Sequence, residues 1–591
     1  MCGIAGLFAY RRRSAEPSLD ELRRISERQR TRGPDDHGVW RSPDRLCAFD
    51  HRRLAIIDPT PAGHQPMQLA EGGHCITFNG EIYNYRELRA ELEEKGEVFF
   101  SGSDTEVLLR LYRLHGKDML SRLRGMYAFA IWDGERRGIF AARDPLGIKP
   151  FYYSTSGDMF RFASQARALV GGGGVSTAVR PGAQAGFLIW GSVPEPLTWW
   201  ADVLALPAGH WLWVADGVCG RPQRHFDIET HFLPAHGGPV ASVNDILAES
   251  VERHLVADVP VGIFLSSGLD SVALASLSSA QAVGRMRSLT VAFEGRTKGA
   301  HLDETEPAAR IARRLGMQHT TVRFEAGDFA AHRAQILDAM DQPTIDGTNV
   351  YFVSMAASRI GLKVALSGVG GDELLGGYPS FSQIPEMVRR LGWLRPWRGA
   401  SRYLRIAVAP AVSQVTSPKY ASLLEYGTDI ADAYLLRRSL FLPWELDRVL
   451  GRERAAFALD DLEHDLAPAS PPPTSAHAMV SLLETRQYMT NQLLRDTDWA
   501  GMRHGVEVRL PFVDSTVISK LGPQIASETP PRKAALEACM DSETWREIRA
   551  LPKRGFEVPM SDWLRSSNSP RARMRGMRGW ALEVMDHFLA A

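Results

Sequence analysis

The stretch VPVGIFLSSGLDS, residues 259–271, sets a continuous apolar segment directly before a polar turn. An unbroken apolar run of this length is typical of a strand buried on both faces of a parallel sheet, and the small residues that follow predict a helix. Hydroxyl and N–H groups at a helix N-terminus suit a phosphate, and Asp270 suits a Mg²⁺ ion bound to that phosphate. The same residues can also serve only as a serine-rich helix cap.

Two further apolar runs follow the same plan. Residues 288–293 precede a helical pattern, and residues 362–366 lead into another polar loop. Apolar strands that alternate with helices predict a doubly wound parallel sheet. Because ligands bind beyond the carboxyl ends of the strands in such a sheet, we expect the three loops to converge on one site.

The last of these loops lies in ALSGVGGDELLGGY, residues 365–378, which contains five glycines and two acids. Dense glycine lets backbone N–H groups approach an anion, while Asp372 and Glu373 can hold a metal ion or a cation. Val369 is unexpected, because it places an apolar, β-branched side chain in a loop that otherwise suits charged ligands.

The composition indicates a multidomain protein that acts on small molecules. A chain of 591 residues exceeds what one core usually supports. Lys plus Arg and Asp plus Glu are both 69, so nothing indicates a nucleic-acid or membrane partner. The five scattered cysteines support neither a zinc site nor a disulfide framework, and the N-terminus lacks the charge order of a secretory signal. The expected compartment is a reducing cytoplasm.

Short apolar runs and polar turns over the first 165 or so residues predict packed sheets with some helices. A stretch rich in Gly, Pro and His marks the main boundary. We therefore expect a first domain over 1–213, a linker over 214–240 and a second domain over 241–591, mostly helical beyond about residue 390.

Cys2 is the first candidate nucleophile. If Met1 is removed, Cys2 carries a thiol and a free α-amine on one carbon, and an amine with a pKa near ~8 can act as the local base. The alternative is a buried small residue that happens to begin the chain.

Three other segments supply groups that suit Cys2. Asn79 and Gly80 in FNGEIYNY, residues 78–85, offer the amide side chain and the N–H group that an oxyanion hole needs. Arg53, at the end of an expected strand, can hold a carboxylate. Asp104 in SDTE can hold an ammonium group.

These segments carry a family resemblance. MCGIAG, RGPDD, HRRLAIID, FNGEIYNY, SDTE and RDPLGIKPFYY, in this order, resemble the glutaminase domain of class II glutamine amidotransferases. The resemblance implies an α+β N-terminal-nucleophile fold of stacked antiparallel sheets, in which Cys2 attacks the glutamine amide and releases ammonia. Asn79 and Gly80 would form the oxyanion hole. The implied glutamine-binding residues are Arg53, Asn79, Glu81 and Asp104.

The second half resembles the ATP-pyrophosphatases, whose SGGxDS loop matches residues 266–271 with Ser267 in place of a glycine. With LLRDTDWAGMRHGVEVRLPFVD (493–514) and LPKRGFEVP (551–559), nearly the whole chain resembles the glutamine-hydrolysing asparagine synthetase family. The resemblance implies an α/β doubly wound parallel-sheet ATP-pyrophosphatase domain with a largely helical C-terminal part. ATP would adenylate a carboxylate, and ammonia would convert the acyl-adenylate to an amide.

The resemblance also implies the residues of this second site. Asp270 and Asp372 would hold Mg²⁺, and Lys553 would neutralise charge on the phosphates, although Lys553 can also be an ordinary solvated lysine. The implied ATP-binding residues are Leu265, Ser266, Ser267, Gly268, Asp270, Ser271, Val291, Ser367 and Gly368.

Three positions depart from the family pattern. Val369 stands where an acid is usual, Trp499 begins a segment where RxSM is usual, and Gln342 stands where Glu is more common. Either these sites tolerate drift, or the acceptor pocket is changed, less charged and fitted to a substrate larger or less polar than aspartate.

The leading functional hypothesis is an asparagine synthetase-type amidotransferase that converts aspartate to asparagine. The substrates would be glutamine, ATP and the carboxylate acceptor. We expect no nucleic-acid or membrane partner, and the sequence is compatible with a homodimer. One alternative is a specialised relative that amidates another carboxylate, such as a natural-product or cell-envelope intermediate. A ring-closing ligase like the β-lactam synthetases is disfavoured by the intact glutaminase residues, and a non-catalytic regulatory homologue by the intact ATP-site residues.

Overall fold

The computed structural model describes residues 2–11, 14–69, 71–234, 241–282, 284, 286–294, 304–415, 417–465, 473, 475–551, 558–566, 571, 574 and 576–590.

Two antiparallel sheets form the N-terminal half. Their strands are β1 Gly3–Phe8, β2 Asp36–Arg41, β3 Cys47–Arg53, β4 Met67–Gln68, β5 Cys75–Ile82, β6 Gly125–Asp133, β7 Gly138–Arg143, β8 Tyr152–Ser154, β9 Phe160–Ala163, β10 Leu204–Ala205, β11 His210–Ala215, β12 Val218–Cys219 and β13 Gln223–Arg224. The first sheet has the order β10-β8-β9-β1-β3-β2. The second has the order β12-β11-β7-β6-β5-β4, with β13 paired to β11.

Alternating side chains explain why these sheets stack. Ile4 and Phe8 of β1 belong to the core between the sheets, together with Trp132 of β6. Ala5 and Leu7, on the opposite face of β1, belong to the core under the outer helices. Since both faces of the sheets are covered, the layers run helix, sheet, sheet, helix. The helices are α1 Leu19–Arg28, α2 Tyr85–Glu94, α3 Asp104–His115, α4 Ala166–Gly171, α5 Pro181–Trp190 and α6 Ile228–His231.

Part of the segment expected to be a linker is strand. Val214 and Ala215 of β11 pair with β12, and His210 and Trp211 pair with β13. The second sheet therefore continues to Arg224, inside the range 214–240.

A five-stranded parallel sheet organises the second half. Its strands are β14 Val261–Phe264, β15 Arg287–Phe293, β16 Gln318–Phe324, β17 Val364–Leu366 and β18 Glu507–Arg509. The order is β16-β15-β14-β17-β18, so the chain winds first to one side of β14 and then to the other. The point where the winding reverses lies between β14 and β17, and a ligand site is expected at their carboxyl ends.

Helices cover this sheet and make up most of the chain beyond it. No helix in the described ranges is long and apolar enough to cross a bilayer. The fold class expected from the sequence is confirmed in both halves. The helices are α7 Val243–His254, α8 Leu269–Gln281, α9 Thr305–Arg314, α10 Ala326–Ala339, α11 Thr348–Arg359, α12 Gly371–Leu374, α13 Ser380–Leu391, α14 Arg398–Val415, α15 Leu423–Tyr426, α16 Ile430–Arg438, α17 Asp447–Leu450, α18 Arg452–Asp465, α19 Ala476–Leu483, the π-helical Glu484–Leu494, α20 Arg495–Met502, α21 Ser515–Ile525, α22 Ser542–Arg549, α23 Met560–Ser566 and α24 Arg578–Ala590.

Candidate active sites

Cys2 lies immediately before β1, and its side chain is buried. Its N–H group donates to Asn79 Oδ1 at 2.8 Å, and its carbonyl oxygen accepts from Arg32 Nε at 3.0 Å. Burial raises the pKa of the Cys2 thiol, although the hydrogen bond from the Leu54 N–H and the charge of Arg53 oppose this. A thiol in this environment needs a base before it can attack, as the N-terminal-nucleophile chemistry supplies.

Asn79 and Gly80 lie on β5 beside Cys2. Asn79 is fully buried, and its Nδ2 has no hydrogen-bond partner among the described residues. A side chain at Gly80 would collide with the Met126 carbonyl oxygen and lie 2.7 Å from Tyr127 Cα, so only glycine fits there. Buried donors normally have partners, which makes Asn79 Nδ2 suited to a substrate oxygen.

Arg53 closes β3 and organises the loop that follows. Its guanidinium donates to the carbonyl oxygens of Ile57 at 3.1 Å, Asp58 at 2.6 Å and Thr60 at 3.3 Å. The side chain is buried and its charge acts on Cys2. The charge of Arg53 therefore favours the thiolate of Cys2, while its role toward a glutamine carboxylate stays a prediction.

Asp104 is the first residue of α3, and its Oδ2 accepts from the Ile82 N–H at 3.0 Å. Burial raises its pKa to about 6. Glu81 is also buried, with Oε2 lying 3.3 Å from Arg509 Nη2 of β18. Burial and the nearby Glu507 hold the pKa of Glu81 well above its usual range, against the charge of Arg509. The Glu81 carboxylate thus faces the second half of the chain, and its part in glutamine binding stays a prediction.

A cavity of about 800 Å³ lies at the carboxyl ends of β14, β15 and β17, as the sheet topology predicts. The hydroxyl of Ser271 donates to the carbonyl oxygens of Ser266 at 3.1 Å and Gly268 at 3.0 Å, which fixes the first loop. Side-chain bulk is restricted at Gly368, where a Cβ would lie 3.0 Å from Asp270 Cβ. The cavity is lined by every residue predicted to bind ATP, namely Leu265, Ser266, Ser267, Gly268, Asp270, Ser271, Val291, Ser367 and Gly368.

Asp270 and Asp372, predicted to hold Mg²⁺, converge on one cation. Lys533 Nζ forms an ion pair with Asp270 Oδ1 and lies 2.9 Å from Asp372 Oδ1. The two carboxylates raise the pKa of Lys533 although burial alone would lower it. Proteins that act on phosphates commonly hold Mg²⁺ with one or two carboxylates together with the substrate phosphates. Asp270 and Asp372 line one cavity and share one cation, so they fit this kind of site. Lys533 was not predicted from the sequence, because its segment PPRKAAL (530–536) contains no recognisable motif.

The three departures from the family pattern occupy different places. Val369 lines the cavity and packs against the apolar core. Trp499 lies behind the cavity wall, where its Nε1 donates to Asp496 Oδ1 at 2.8 Å. Gln342 is not among the lining residues; it accepts from the Trp199 N–H at 3.1 Å and donates to the Tyr152 hydroxyl at 3.1 Å.

Of these three positions, only Val369 changes the surface of the cavity directly. Gln342 instead joins the two halves of the chain through the hydrogen bonds of its side-chain amide. Lys553, predicted to act on the phosphates, lies outside the described residues.

Comparison with known proteins assigns each half of the chain to a family. Residues 1–225 match the glutamine amidotransferase domain and residues 242–578 match asparagine synthase. The chain is 30% identical over 582 residues to asparagine synthetase 1 (glutamine-hydrolysing) of Bacillus subtilis, covering 96% of this chain and 88% of that protein. It is 32% identical over 420 residues to asparagine synthetase B of Escherichia coli K12, covering 66% of this chain and 68% of that protein.

A third relative has a different name. Amidase chry2 of Gibberella zeae is 28% identical over 423 residues, covering 64% of this chain and 60% of that protein. Together with the geometry of the two sites, these matches show that the chain belongs to the asparagine synthase family and is a glutamine-dependent carbon–nitrogen ligase of the asparagine synthetase type.

Proposed function

We propose that this chain hydrolyses glutamine at Cys2 and uses the ammonia to amidate a carboxylate that it first activates with ATP. The observation that carries the proposal is the single cavity that gathers the predicted ATP-binding residues of three loops, in a chain that also buries Cys2 beside Asn79 and Gly80. Glutamine, ATP and a carboxylate acceptor are the proposed substrates.

The glutaminase half-reaction uses groups around Cys2. Its Sγ attacks the side-chain carbonyl carbon of glutamine, while Asn79 Nδ2 and the Gly80 N–H hold the oxygen that gains negative charge. Once Met1 is removed, the α-amine of Cys2 takes the thiol proton and passes it to the amide nitrogen, the C–N bond breaks, and ammonia leaves. Water then cleaves the thioester to release glutamate and regenerate the thiol. Arg53 and Asp104 would hold the carboxylate and ammonium ends of glutamine.

The synthetase half-reaction takes place at the cavity. An acceptor carboxylate oxygen attacks the α-phosphorus of ATP, and the bond to the bridging oxygen breaks so that pyrophosphate leaves. Ammonia attacks the acyl carbon and gives up a proton, and the C–O bond to AMP breaks with its electron pair on AMP. Asp270 and Asp372 would hold Mg²⁺, which offsets phosphate charge when it is bound. Lys553 is proposed to act on the same phosphates.

Aspartate is one candidate acceptor, and a different carboxylate is the other. The relatives named asparagine synthetase support the first. Val369 supports the second, since a valine on the cavity wall can neither accept a proton nor pair with a cation.

Substitution of the nucleophile tests the proposal. We expect Cys2→Ala to lose glutamine-supported pyrophosphate release by at least about 100-fold, because the alanine side chain cannot form the thioester. The same variant keeps release supported by ammonium salt, since the cavity is untouched. Cys219→Ala, a half-buried cysteine away from the site, is the matched control. Unchanged glutamine-supported release in Cys2→Ala would refute the glutaminase assignment.

A further inference from the structure

Four aromatic side chains line one side of the cavity. Trp190, from the end of α5, lies 6.1 Å from Tyr434 of α16, measured between ring centroids, at an interplanar angle of 35°. Tyr378 and Tyr488 lie 6.0 Å apart at 76°, an edge-to-face pair. These four residues, called the aromatic wall below, come from both halves of the chain. Tyr434 is buried behind Trp190, and the partly exposed rings of Trp190, Tyr378 and Tyr488 form a surface that suits another flat ring.

Arg438, which lies against two rings of the aromatic wall, already forms an ion pair with a buried carboxylate. The Arg438 guanidinium lies 4.0 Å from the Tyr488 ring centroid and 4.6 Å from that of Tyr378. Its Nη2 lies 2.7 Å from Glu484 Oε2, and Glu484 is completely buried. Glu484 also accepts from the Tyr434 hydroxyl at 3.2 Å. A substrate carboxylate at Arg438 would have to compete with this ion pair, and separating it would leave a buried charge uncompensated.

The lining of the same cavity also includes apolar and acidic groups. Val369 and Val353 supply apolar surface. Glu373 accepts from the Tyr378 hydroxyl at 2.8 Å, and Asp496 is fixed by Thr344 at 2.8 Å and by Trp499. A second carboxylate placed beside Glu373 or Asp496 would lie next to another acid and compete with hydrogen bonds already made.

We propose that the acceptor is an aryl monocarboxylate, with its ring against the aromatic wall and its single carboxylate directed to the ATP-binding loops. This inference rests on the proposed function, because it presumes that the cavity adenylates a carboxylate. It also accounts for Val369 on the loop. The edge of an aromatic ring packs against an apolar neighbour, whereas a second polar group of aspartate would need a charged neighbour.

The test measures pyrophosphate release with ATP, Mg²⁺ and ammonium chloride across aspartate, benzoate, phenylacetate, cinnamate and indole-3-acetate. We expect at least one aryl acid to give a kcat/KM about tenfold or more above that of aspartate, in line with the energy of ring contacts beyond area burial. The product must be the corresponding amide. Highest release with aspartate and formation of asparagine would overturn the inference while leaving the proposed function intact. Failure of all five acids would overturn the inference, whereas the proposed function falls only if Cys2→Ala also leaves glutamate formation from glutamine unchanged.

A pair of variants tests the aromatic wall itself. Tyr488→Leu keeps apolar bulk but removes the ring, so the KM for the aryl acid should rise about tenfold while the KM for ATP stays unchanged. Tyr403→Leu is the control, because Tyr403 is 76% exposed on α14. An unchanged KM for the aryl acid in Tyr488→Leu, with thermal stability matched to the parent protein, would overturn the placement of the ring.

Discussion

Lys533 shows how one side chain can hold two acidic segments together. Its ammonium group joins Asp270 and Asp372, which belong to loops about a hundred residues apart in the chain. The side chains are only 16%, 20% and 25% exposed, so water screens their charges poorly. Two carboxylates this close would repel each other without a cation between them.

Replacement of this lysine should therefore lower the free energy of unfolding and make it depend more strongly on Mg²⁺. We expect Lys533→Met to lose ~1–3 kcal/mol of unfolding free energy in the absence of Mg²⁺, because two partly buried carboxylates lose their cation. Added Mg²⁺ should restore more stability in the variant than in the parent protein, which thermal unfolding with and without the ion measures. Lys520→Met, which breaks the exposed pair with Glu249, is the control and should change little. Equal Mg²⁺ responses in the two variants would contradict this role.

Helix α3 places the buried acid Asp104 at its N-terminus. Asp104 begins the helix, whose N-terminus favours a negative charge, and the Ile82 N–H donates to it. Burial nevertheless dominates and raises its pKa to about 6. The carboxylate is therefore ionised above about pH 6 and neutral below it.

This position predicts the pH dependence of glutamine use. If Asp104 holds the glutamine ammonium group, kcat/KM for glutamine should fall as the pH drops through about 6, because protonation removes the attracting charge. Asp104→Asn should lower kcat/KM and flatten this limb of the profile. Asp20→Asn, at the exposed first turn of α1, should leave the profile unchanged. An Asp104→Asn profile with the same acidic limb would assign that limb to another group.

At the scale of the whole molecule, a buried ion pair joins the two halves beside the nucleophile. Arg32 Nη1 donates to Asp498 Oδ2 at 2.6 Å and Nη2 donates to Oδ1 at 3.0 Å, with both side chains almost fully buried. The same Arg32 donates to the Cys2 carbonyl oxygen. The pair therefore fixes the backbone of Cys2 relative to helix α20 of the second half.

Breaking this pair should weaken the connection between the two reactions. We expect Asp498→Asn to cost ~3–5 kcal/mol of unfolding free energy, because Arg32 is left buried without its counterion. Glutamate formed per pyrophosphate released should rise, since the glutaminase site is held less firmly to the synthetase half. Asp158→Asn breaks an exposed pair with Arg11 and should alter neither quantity. An unchanged glutamate-to-pyrophosphate ratio in Asp498→Asn would argue against this coupling.

The sequence by itself determined the fold class and the class of enzyme. Apolar runs that end in SSGLDS and SGVGGD predicted parallel strands with ligand loops, because strand burial and loop glycines act over short distances in the chain. Cys2 and Asn79 were recognisable for the same reason: each stands in a local motif. The strand bounds differ by a few residues, as in β14 at Val261–Phe264, since the ends of strands depend on pairing with neighbours.

Only the tertiary structure decided what meets across long separations. Lys533 lies in a segment without a recognisable motif, and packing alone brings it to Asp270. The aromatic wall takes Trp190 from the first half and Tyr434 and Tyr488 from separate helices of the second. Gln342 proved to be a contact between the halves and not a pocket residue. Local sequence specifies elements and motifs, whereas the walls of a pocket depend on how distant elements pack, which no short stretch encodes.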